Sequence, residues 1–299
     1  MPLNIRFSGT TTPEVEVINY PGGELQVRIT DVALPQFLEA TVVRITAWLG
    51  GGQDLMALLL LKDAIDALPP MPRKVQLYLP YLPYARADRR FVAGDCWGLG
   101  VFATVINSAR FTSVEVLDPH NADVAWKLIN GLAVRSATPY IGEAVKAFAQ
   151  FCNRQLVTVL LPDEGAAQRY EDLPSMFGAV RVQYLTAKKV RDQRSGILTG
   201  FKVPARSEFA SPAVLIVDDI CDGGGTFLGI ANKLLYPSDV TKPPWATLGL
   251  CVTHGIFSQG LRLLGEFSRI YTTDSWKRGA PLEDPNNAVQ IMSTETIYE

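Results

Sequence analysis

Short apolar segments rich in β-branched residues alternate with helical patterns along most of the chain. Segments of this kind, bounded by polar or turn residues, are typical of buried strands. Their alternation with helices indicates βαβ units, mainly parallel sheets and the α/β fold class. The predicted strands are residues 40–45, 75–79, 113–117, 156–161, 180–185, 213–217 and 246–252.

Two segments read as helices, residues 55–67 and residues 221–236. The first carries apolar residues around most of its circumference, so we expect it to be buried. The chain has 299 residues, which suggests two domains of roughly 150 residues each. A boundary near residues 135–145 would leave several strands in each half.

Composition excludes several classes of partner. The formal charge of −2 and the pI of about 5.8 provide no positive field that would attract a nucleic acid or an anionic membrane. The four cysteines are far apart, so a zinc cluster and a disulfide framework are both disfavoured, and we expect buried, reduced thiols. They are Cys96, Cys152, Cys221 and Cys251.

The longest apolar run, residues 55–61, is far shorter than the roughly 20 residues that span a bilayer. The N-terminal residues have no basic region followed by an apolar core, so we expect no signal peptide. The sequence therefore predicts a cytoplasmic protein with no membrane partner.

The most informative motif is VLIVDDICDGGGTF, residues 214–227. An apolar strand leads into two acidic residues, then a glycine-rich loop, with Thr226 expected to open a helix. Glycines at 223–225 permit positive φ angles and close approach to an anion, and amides at a helix start favour phosphate. Asp218 and Asp219 can accept hydrogen bonds from neighbouring sugar hydroxyls, which indicates a ribose-phosphate site.

The motif lacks the GK[ST] of a P-loop and the GxGxxG of a dinucleotide-binding turn. In isolation, an ordinary glycine-rich turn after a strand is the alternative interpretation. Other polar clusters follow further predicted strands, and ligands of open α/β sheets bind outside the carboxyl ends of strands. These clusters include Arg86, His120 and Asp163.

The loop after the paired acids resembles that of type I phosphoribosyltransferases. Further segments resemble motifs that the ribose-phosphate diphosphokinase (PRPP synthetase) family carries in the same order. They are GGELQVRI, DLMALLLLKDAI, PYARADRRF, LDPHN, LPDEGAAQR, KKVR and THGIFSQG.

This resemblance implies two tandem phosphoribosyltransferase-like domains, each a mainly parallel sheet flanked by helices. Residues 1–140 would carry the ATP-side motifs and residues 141–299 the sugar-phosphate loop. The implied reaction is Mg²⁺-dependent transfer of the β,γ-diphosphate of ATP to the anomeric hydroxyl of ribose 5-phosphate, releasing AMP without a covalent enzyme intermediate.

The resemblance also implies roles for individual residues. His120 and Asp163 match positions that hold magnesium, and the sugar phosphate would be bound by Asp218, Asp219, Asp222, Gly223, Gly224, Gly225 and Thr226. Arg86 and Asp88 would bind the nucleotide, as would Tyr20 and Glu24, which the family supplies from a neighbouring subunit. We therefore expect a homo-oligomer, a dimer or larger.

Lys189 and Arg191 match a Lys-x-Arg pair on a mobile loop of the family and are the predicted catalytic residues. A lysine point charge and an arginine fork suit a transition state with spread charge. If the match slips by one residue, Lys188 takes the catalytic place. An exposed basic turn with no catalytic role is the alternative.

The chain departs from the family in its glycine loop and near the nucleotide. Family loops commonly read Asp-Thr-Ala-Gly-Thr, whereas Gly223 and Gly224 lack a hydroxyl and a methyl group. The extra room suggests an acceptor with a substituent beyond its 5-phosphate, such as ADP-ribose. Ala87 and Gly22 replace polar family residues, so the donor need not be strictly ATP.

Two other functions share this sugar loop. A phosphoribosyltransferase that consumes PRPP would have no evident need for the nucleotide-side residues Arg86, His120, Asp163 and Lys189. A non-catalytic regulator of the synthetase type would be expected to have an altered catalytic set, and here the set is complete.

Overall fold

The computed structural model describes residues 3–7, 15–69, 73–90, 92–191, 198–236, 245–260, 265–276 and 288–294. The chain divides into two compact units, Met1–Ser136 and Ala137–Glu299. The boundary predicted at residue 140 falls inside the helix that begins at Thr138.

The first unit is built around a mainly parallel sheet. Its strands are β1 Leu3–Phe7, β2 Val15–Asn19, β3 Leu25–Ile29, β4 Val42–Ala47, β5 Lys74–Leu79, β6 Ser113–Leu117 and β7 Leu132–Arg135. Its helices are α1 Leu34–Glu39, α2 Gly52–Asp66, α3 Gly98–Ser108 and α4 Ala122–Leu128.

Within the described residues, the strands of the first unit form a five-stranded sheet of order β1-β4-β5-β6-β7 and a separate β2-β3 hairpin. Strand β1 runs antiparallel to β4, and the other neighbours are parallel. Apolar side chains of the sheet pack against α2 and α3 in one core that includes Ile45, Leu58, Leu77 and Phe102.

The second unit has a larger sheet. Its strands are β8 Leu156–Leu161, β9 Met176–Phe177, β10 Val180–Thr186, β11 Lys188–Arg191, β12 Leu198–Lys202, β13 Ala213–Cys221, β14 Thr247–Gly255, β15 Arg269–Thr273 and β16 Val289–Met292. Its helices are α5 Thr138–Phe151, α6 Glu164–Arg169 and α7 Gly225–Leu235.

Seven of these strands form one sheet in the described part of the second unit, in the order β16-β15-β14-β13-β8-β10-β9. All neighbours are parallel except β9 and β10. Strand β13 lies in the middle, and α7 packs its apolar face on the buried side chains of this sheet. The predicted α/β class with mainly parallel sheets is therefore confirmed.

The predicted long helix is α2, and its burial is one-sided. Leu58, Leu61 and Ile65 are fully buried, whereas Met56 is about half exposed. The apolar residues around its circumference are thus partly solvent-facing, because α2 has the sheet on one side. No helix in the described ranges is long and apolar enough to cross a membrane.

The four cysteines are all free thiols, but they are not all buried. Cys221 and Cys251 lie within buried strands, Cys152 is half-buried, and Cys96 is exposed. The prediction of burial was wrong for Cys96, which lies in an irregular segment before α3 where no neighbouring layer covers it.

Candidate functional site

The acidic pair lies inside β13, not after it. The predicted strand ended at residue 217, but the observed strand continues to Cys221 and includes both Asp218 and Asp219. The reason is its central position: β14 pairs with β13 as far as Cys221 opposite Gly255. Ladder hydrogen bonds from a neighbour outweigh the weak strand propensity of aspartate.

The two carboxylates share a guanidinium from α6. Arg169 Nη1 lies 2.8 Å from Asp219 Oδ1 and 3.5 Å from Asp218 Oδ1. Burial, and then the adjacent Asp219 charge, raise the pKa of Asp218 well above its usual range, while Arg169 opposes the rise. Arg169 was not among the residues selected from the sequence, although it ends the LPDEGAAQR segment; an arginine shortly after a strand-end acid was the available signal.

The glycine loop makes a left-handed turn at a single residue. Gly224 has a φ of 77° and a ψ of 0° and is the N-cap of α7, which begins at Gly225. Of the three glycines that permit positive φ, Gly224 adopts it and Gly223 and Gly225 do not. Thr226 lies within the first turn of the helix, one residue after its start.

Asp163 caps α6 and binds the predicted catalytic lysine. Its Oδ1 accepts a hydrogen bond from the Ala166 amide at 2.9 Å, and its Oδ2 accepts one from Lys189 Nζ at 2.6 Å. Burial alone would raise the pKa of Asp163, but the Lys189 and Ala166 bonds hold it below its usual range. Asp163 is therefore an ionised carboxylate beside a cation.

The neighbouring lysine has a different environment. Lys188 is largely exposed and pairs with Glu164 at 3.1 Å, whereas the Lys189 side chain is 29% exposed. Both lie in β11, which pairs antiparallel with β12 where a mobile loop was expected. Phe201 of β12 packs on Gly229 of α7 and thereby holds the β11-β12 pair against this helix. The side chain of Arg191, the other predicted catalytic residue, lies outside the described side chains.

In the first unit, Asp88 connects two loops. Its carboxylate accepts two hydrogen bonds from Arg89 and one from Asn121 Nδ2, at 2.8 to 2.9 Å. Asn121 in turn caps α4 by accepting the Val124 amide. The Arg89 bonds, opposed by burial and aided by Asn121, hold the pKa of Asp88 below its usual range. Asp88 thus joins the loop after β5 to the loop after β6.

Those loops carry two of the predicted ligand residues, Arg86 and His120, both of which are exposed. Leu82 and Ala85 anchor the first loop in the core, and Tyr84 has a φ of 61° at its bend. A tyrosine whose backbone adopts the left-handed region is strained, and such strain is often found in functional loops.

Tyr20 and Glu24 lie at the tip of the β2-β3 hairpin. The Tyr20 amide donates to the Glu24 carbonyl at 2.9 Å, and Gly23 has the φ of 91° that the tight turn requires. Both side chains are exposed. The hairpin therefore presents them on a projecting surface of the first unit.

Of the two proposed metal ligands, Asp163 fits magnesium by its chemistry, because Mg²⁺ prefers oxygen ligands. Asp163 supplies an ionised oxygen ligand, and Mg²⁺ usually takes one or two carboxylates together with water and substrate phosphate. No three His, Cys, Asp or Glu side chains converge within the described ranges. Asp163 belongs to the second unit and His120 to the first.

Curated relatives match the chain along most of its length. It is 29% identical over 231 residues to a ribose-phosphate pyrophosphokinase from Sulfurisphaera tokodaii, covering 77% of this chain and 74% of the relative. It is also 29% identical over 257 residues to the corresponding protein from Thermococcus kodakarensis, covering 86% of this chain and 82% of the relative.

Among solved structures, the crystal structure of phosphoribosylpyrophosphate synthetase from Mycobacterium smegmatis matches with a TM-score of 0.68. The match covers 94% of this chain and 86% of that one, at 18% identity, and it shows a shared fold. No protein-family model matches the chain. The sequence likeness along most of the chain and the shared fold together support the ribose-phosphate pyrophosphokinase, or PRPP synthetase, family of enzymes, and the fold is type I phosphoribosyltransferase-like.

Proposed function

We propose that the chain transfers the β,γ-diphosphate of ATP to the anomeric hydroxyl of ribose 5-phosphate and releases AMP. The observation that carries the proposal is the central segment β13–α7. It combines an acidic pair, a left-handed glycine turn and a helix start at the carboxyl end of the central strand. The two relatives described above, both named ribose-phosphate pyrophosphokinase, support the same reaction.

On the acceptor side, the loop from Asp222 to Thr226 would bind the 5-phosphate. Backbone amides at the start of α7 favour an anion, and Gly224 lets the chain turn closely around it. A carboxylate of the acidic pair would accept hydrogen bonds from the ribose hydroxyls and thereby direct the anomeric oxygen outward. Positioning of this kind lowers the entropic part of the barrier.

On the donor side, Arg86 would contact the polyphosphate, and Tyr20 and Glu24 of a second copy of the chain would contact the base. We assign Asp88 a supporting role, since Arg89 and Asn121 already occupy its carboxylate. Asp88 would fix the positions of the loops that carry Arg86 and His120 relative to each other.

For the transfer itself, Lys189 and Arg191 would stabilise negative charge on the phosphoryl group as the anomeric oxygen attacks the β-phosphorus in line. The partial burial of Lys189 beside Asp163 favours it over the exposed Lys188 for this role. Asp163 would bind Mg²⁺, which when bound neutralises charge on the β- and γ-phosphate oxygens. The proposed role of His120 is metal binding near the nucleotide in the first unit.

The test is phosphorus NMR of the full chain with Mg-ATP and ribose 5-phosphate. We expect equal amounts of AMP and a sugar that carries an anomeric diphosphate, and no product when EDTA removes the metal. Lys189→Ala should lower kcat by at least about a hundredfold, whereas the control Lys233→Ala, on α7, should not. A full-length, folded chain that yields no AMP would contradict the proposal and favour a non-catalytic regulator.

The acceptor can also be larger than ribose 5-phosphate. A Cβ added at Gly225 would meet nothing within 4 Å, and one at Gly223 only Gln259 at 3.8 Å, so the loop is open to solvent here. This space favours an acceptor that continues beyond its 5-phosphate, such as ADP-ribose. Comparing kcat/KM for ADP-ribose and ribose 5-phosphate tests this extension; a strong preference for ribose 5-phosphate rules it out.

A further inference from the structure

The acidic pair and Arg169 form an asymmetric cluster in the second unit. The Asp219 side chain is 3% exposed and lies 2.8 Å from the guanidinium, whereas the Asp218 side chain is 15% exposed and lies 3.5 Å from it. The two acids are adjacent in a strand, yet one is closed off in an ion pair and the other borders solvent.

The backbone adds to this asymmetry. The Asp219 amide donates a hydrogen bond of 2.9 Å to Asp218 Oδ1, which fixes the orientation of the Asp218 carboxylate. Asp218 Oδ1 is thus held by the Asp219 amide and lies 3.5 Å from Arg169, while the side chain keeps 15% of its surface exposed. A sugar hydroxyl can reach Asp218 more readily than Asp219.

Electrostatics explains why the two acids and Arg169 lie together. Two neighbouring carboxylates that are largely removed from water repel each other, and a buried charge without a partner is strongly unfavourable. Arg169 supplies a positive charge to both acids, from the last residue of α6. Without it, the Asp219 charge would face Asp218 with less compensation, so the ionised form of Asp218, which is the better hydrogen-bond acceptor, would become less favourable.

We propose that Arg169 is a positioning residue for acceptor binding: it neutralises Asp219 as a buried structural charge and leaves Asp218 as the carboxylate that contacts the ribose hydroxyls. This inference rests on the proposed function and deepens it. It also divides the acidic pair, because only one of the two acids touches the sugar.

The experiment measures binding of ribose 5-phosphate to the full chain by calorimetry, with Mg²⁺ and a non-hydrolysable ATP analogue present. Arg169→Gln should raise the Kd about tenfold, as expected for loss of a charged hydrogen-bond partner, and Asp218→Asn should raise it more. The double variant R169Q/D219N should bind within about threefold of the wild type, since removing both charges restores the balance. The KM for ribose 5-phosphate should follow the same order, while the KM for ATP stays unchanged.

Arg169→Lys retains the positive charge and should recover part of the lost affinity, and the exposed Arg181→Gln is the matched control. The proposal is overturned if Asp219→Asn weakens binding as much as Asp218→Asn, or if the double variant binds no better than Arg169→Gln. A purely structural arginine would give that second result, because removing a second partner does not repair a packing defect.

A wild-type chain that shows neither turnover nor sugar binding would contradict the proposed function. The charge compensation is then tested by itself through thermal unfolding of the wild type, Arg169→Gln, Asp219→Asn and the double variant. We expect Arg169→Gln to lower Tm and the added Asp219→Asn to restore part of it; additive losses would overturn the assignment of Asp219 as the neutralised charge.

Discussion

Single buried carboxylates carry much of the organisation of this protein, and each is defined by its partners. Asp88 and Asp163 have pKa values lowered by hydrogen-bond donors, and Asp219 is ion-paired with Arg169. Asp218 also contacts Arg169 and the Asp219 amide, but its pKa is raised beside the second acid. These environments lead to opposite expectations for stability, because a lowered pKa indicates a favourable ionised form and a raised pKa an unfavourable one.

Asp88→Asn should destabilise the first unit. An asparagine cannot accept from both Arg89 and Asn121 as a carboxylate does, so we expect a loss of about 1–3 kcal/mol in the free energy of unfolding. Because the folded pKa of Asp88 is lowered, this contribution is present above the ordinary aspartate pKa and is lost as pH falls below it. Urea unfolding at neutral and acidic pH measures both effects.

The comparison is Arg89→Gln, which removes an exposed arginine but leaves the contact between Asp88 and Asn121. Its effect should be clearly smaller than that of Asp88→Asn. Equal losses for the two variants would show that the connection between the loops does not depend on Asn121.

Asp218→Asn should have the opposite effect on stability. The folded pKa of Asp218 is raised. Its contribution to the free energy of unfolding is therefore fully present below the ordinary aspartate pKa and is lost as pH rises through the folded value. At neutral pH the variant should therefore melt about 2–4 °C above the wild type, although it loses sugar binding. The difference should vanish at low pH; the exposed Asp172→Asn is the control, and a lower Tm for Asp218→Asn would contradict the reasoning.

At the scale of elements, the strand-to-helix connection after β13 depends on one backbone conformation. Gly224 adopts the left-handed region as N-cap of α7, while Gly225 does not and has open space around its Cβ position. The two adjacent glycines thus have different reasons to be glycine, although the sequence presents them alike.

Gly224→Ala should lower the free energy of unfolding by about 1–2 kcal/mol, because an L-residue is disfavoured at positive φ. Gly225→Ala is the matched control and should be neutral, or stabilising by about 0.4–1 kcal/mol, through a less flexible unfolded chain. Chemical denaturation of both variants is the measurement. If they were equally stable, the turn would not require a left-handed residue.

At the scale of the molecule, each compact unit has its own core, with Leu58 and Leu77 in the first and Ile216 and Ile230 in the second. Ligand binding should therefore affect the units differently, and unfolding need not be a single two-state transition. Local measurements are more informative here than one melting temperature.

Ribose 5-phosphate at a hundred times its Kd should stabilise the folded second unit by about 2.7 kcal/mol. In amide hydrogen exchange, with Mg²⁺ and an ATP analogue present throughout, we expect added protection in β13 and the first turn of α7. The α2 core of the first unit provides the internal reference, and Asp218→Asn should abolish the change. If ribose 5-phosphate added no protection in β13 and α7 of the wild type, the acceptor would have to bind elsewhere.

Much of the fold follows from local patterns, because apolar periodicity and β-branched content act over a few residues. The strands at 113–117 and 156–161 were predicted with the bounds that the structure shows, and the glycine-rich motif identified the turn before α7. The sequence by itself therefore determined the fold class, several central strands and the segment that resembles a ribose-phosphate site.

Tertiary structure decided what depends on residues far apart in the chain. The continuation of β13 through its acids requires pairing with β14, the role of Arg169 requires α6 to lie beside β13, and the role of Asp88 requires contact with Asn121. Local propensity contains no information about such partners, because charge compensation and strand pairing act through space. The acids could be identified from the sequence, whereas the packed structure determined which of them are neutralised and which can contact a ligand.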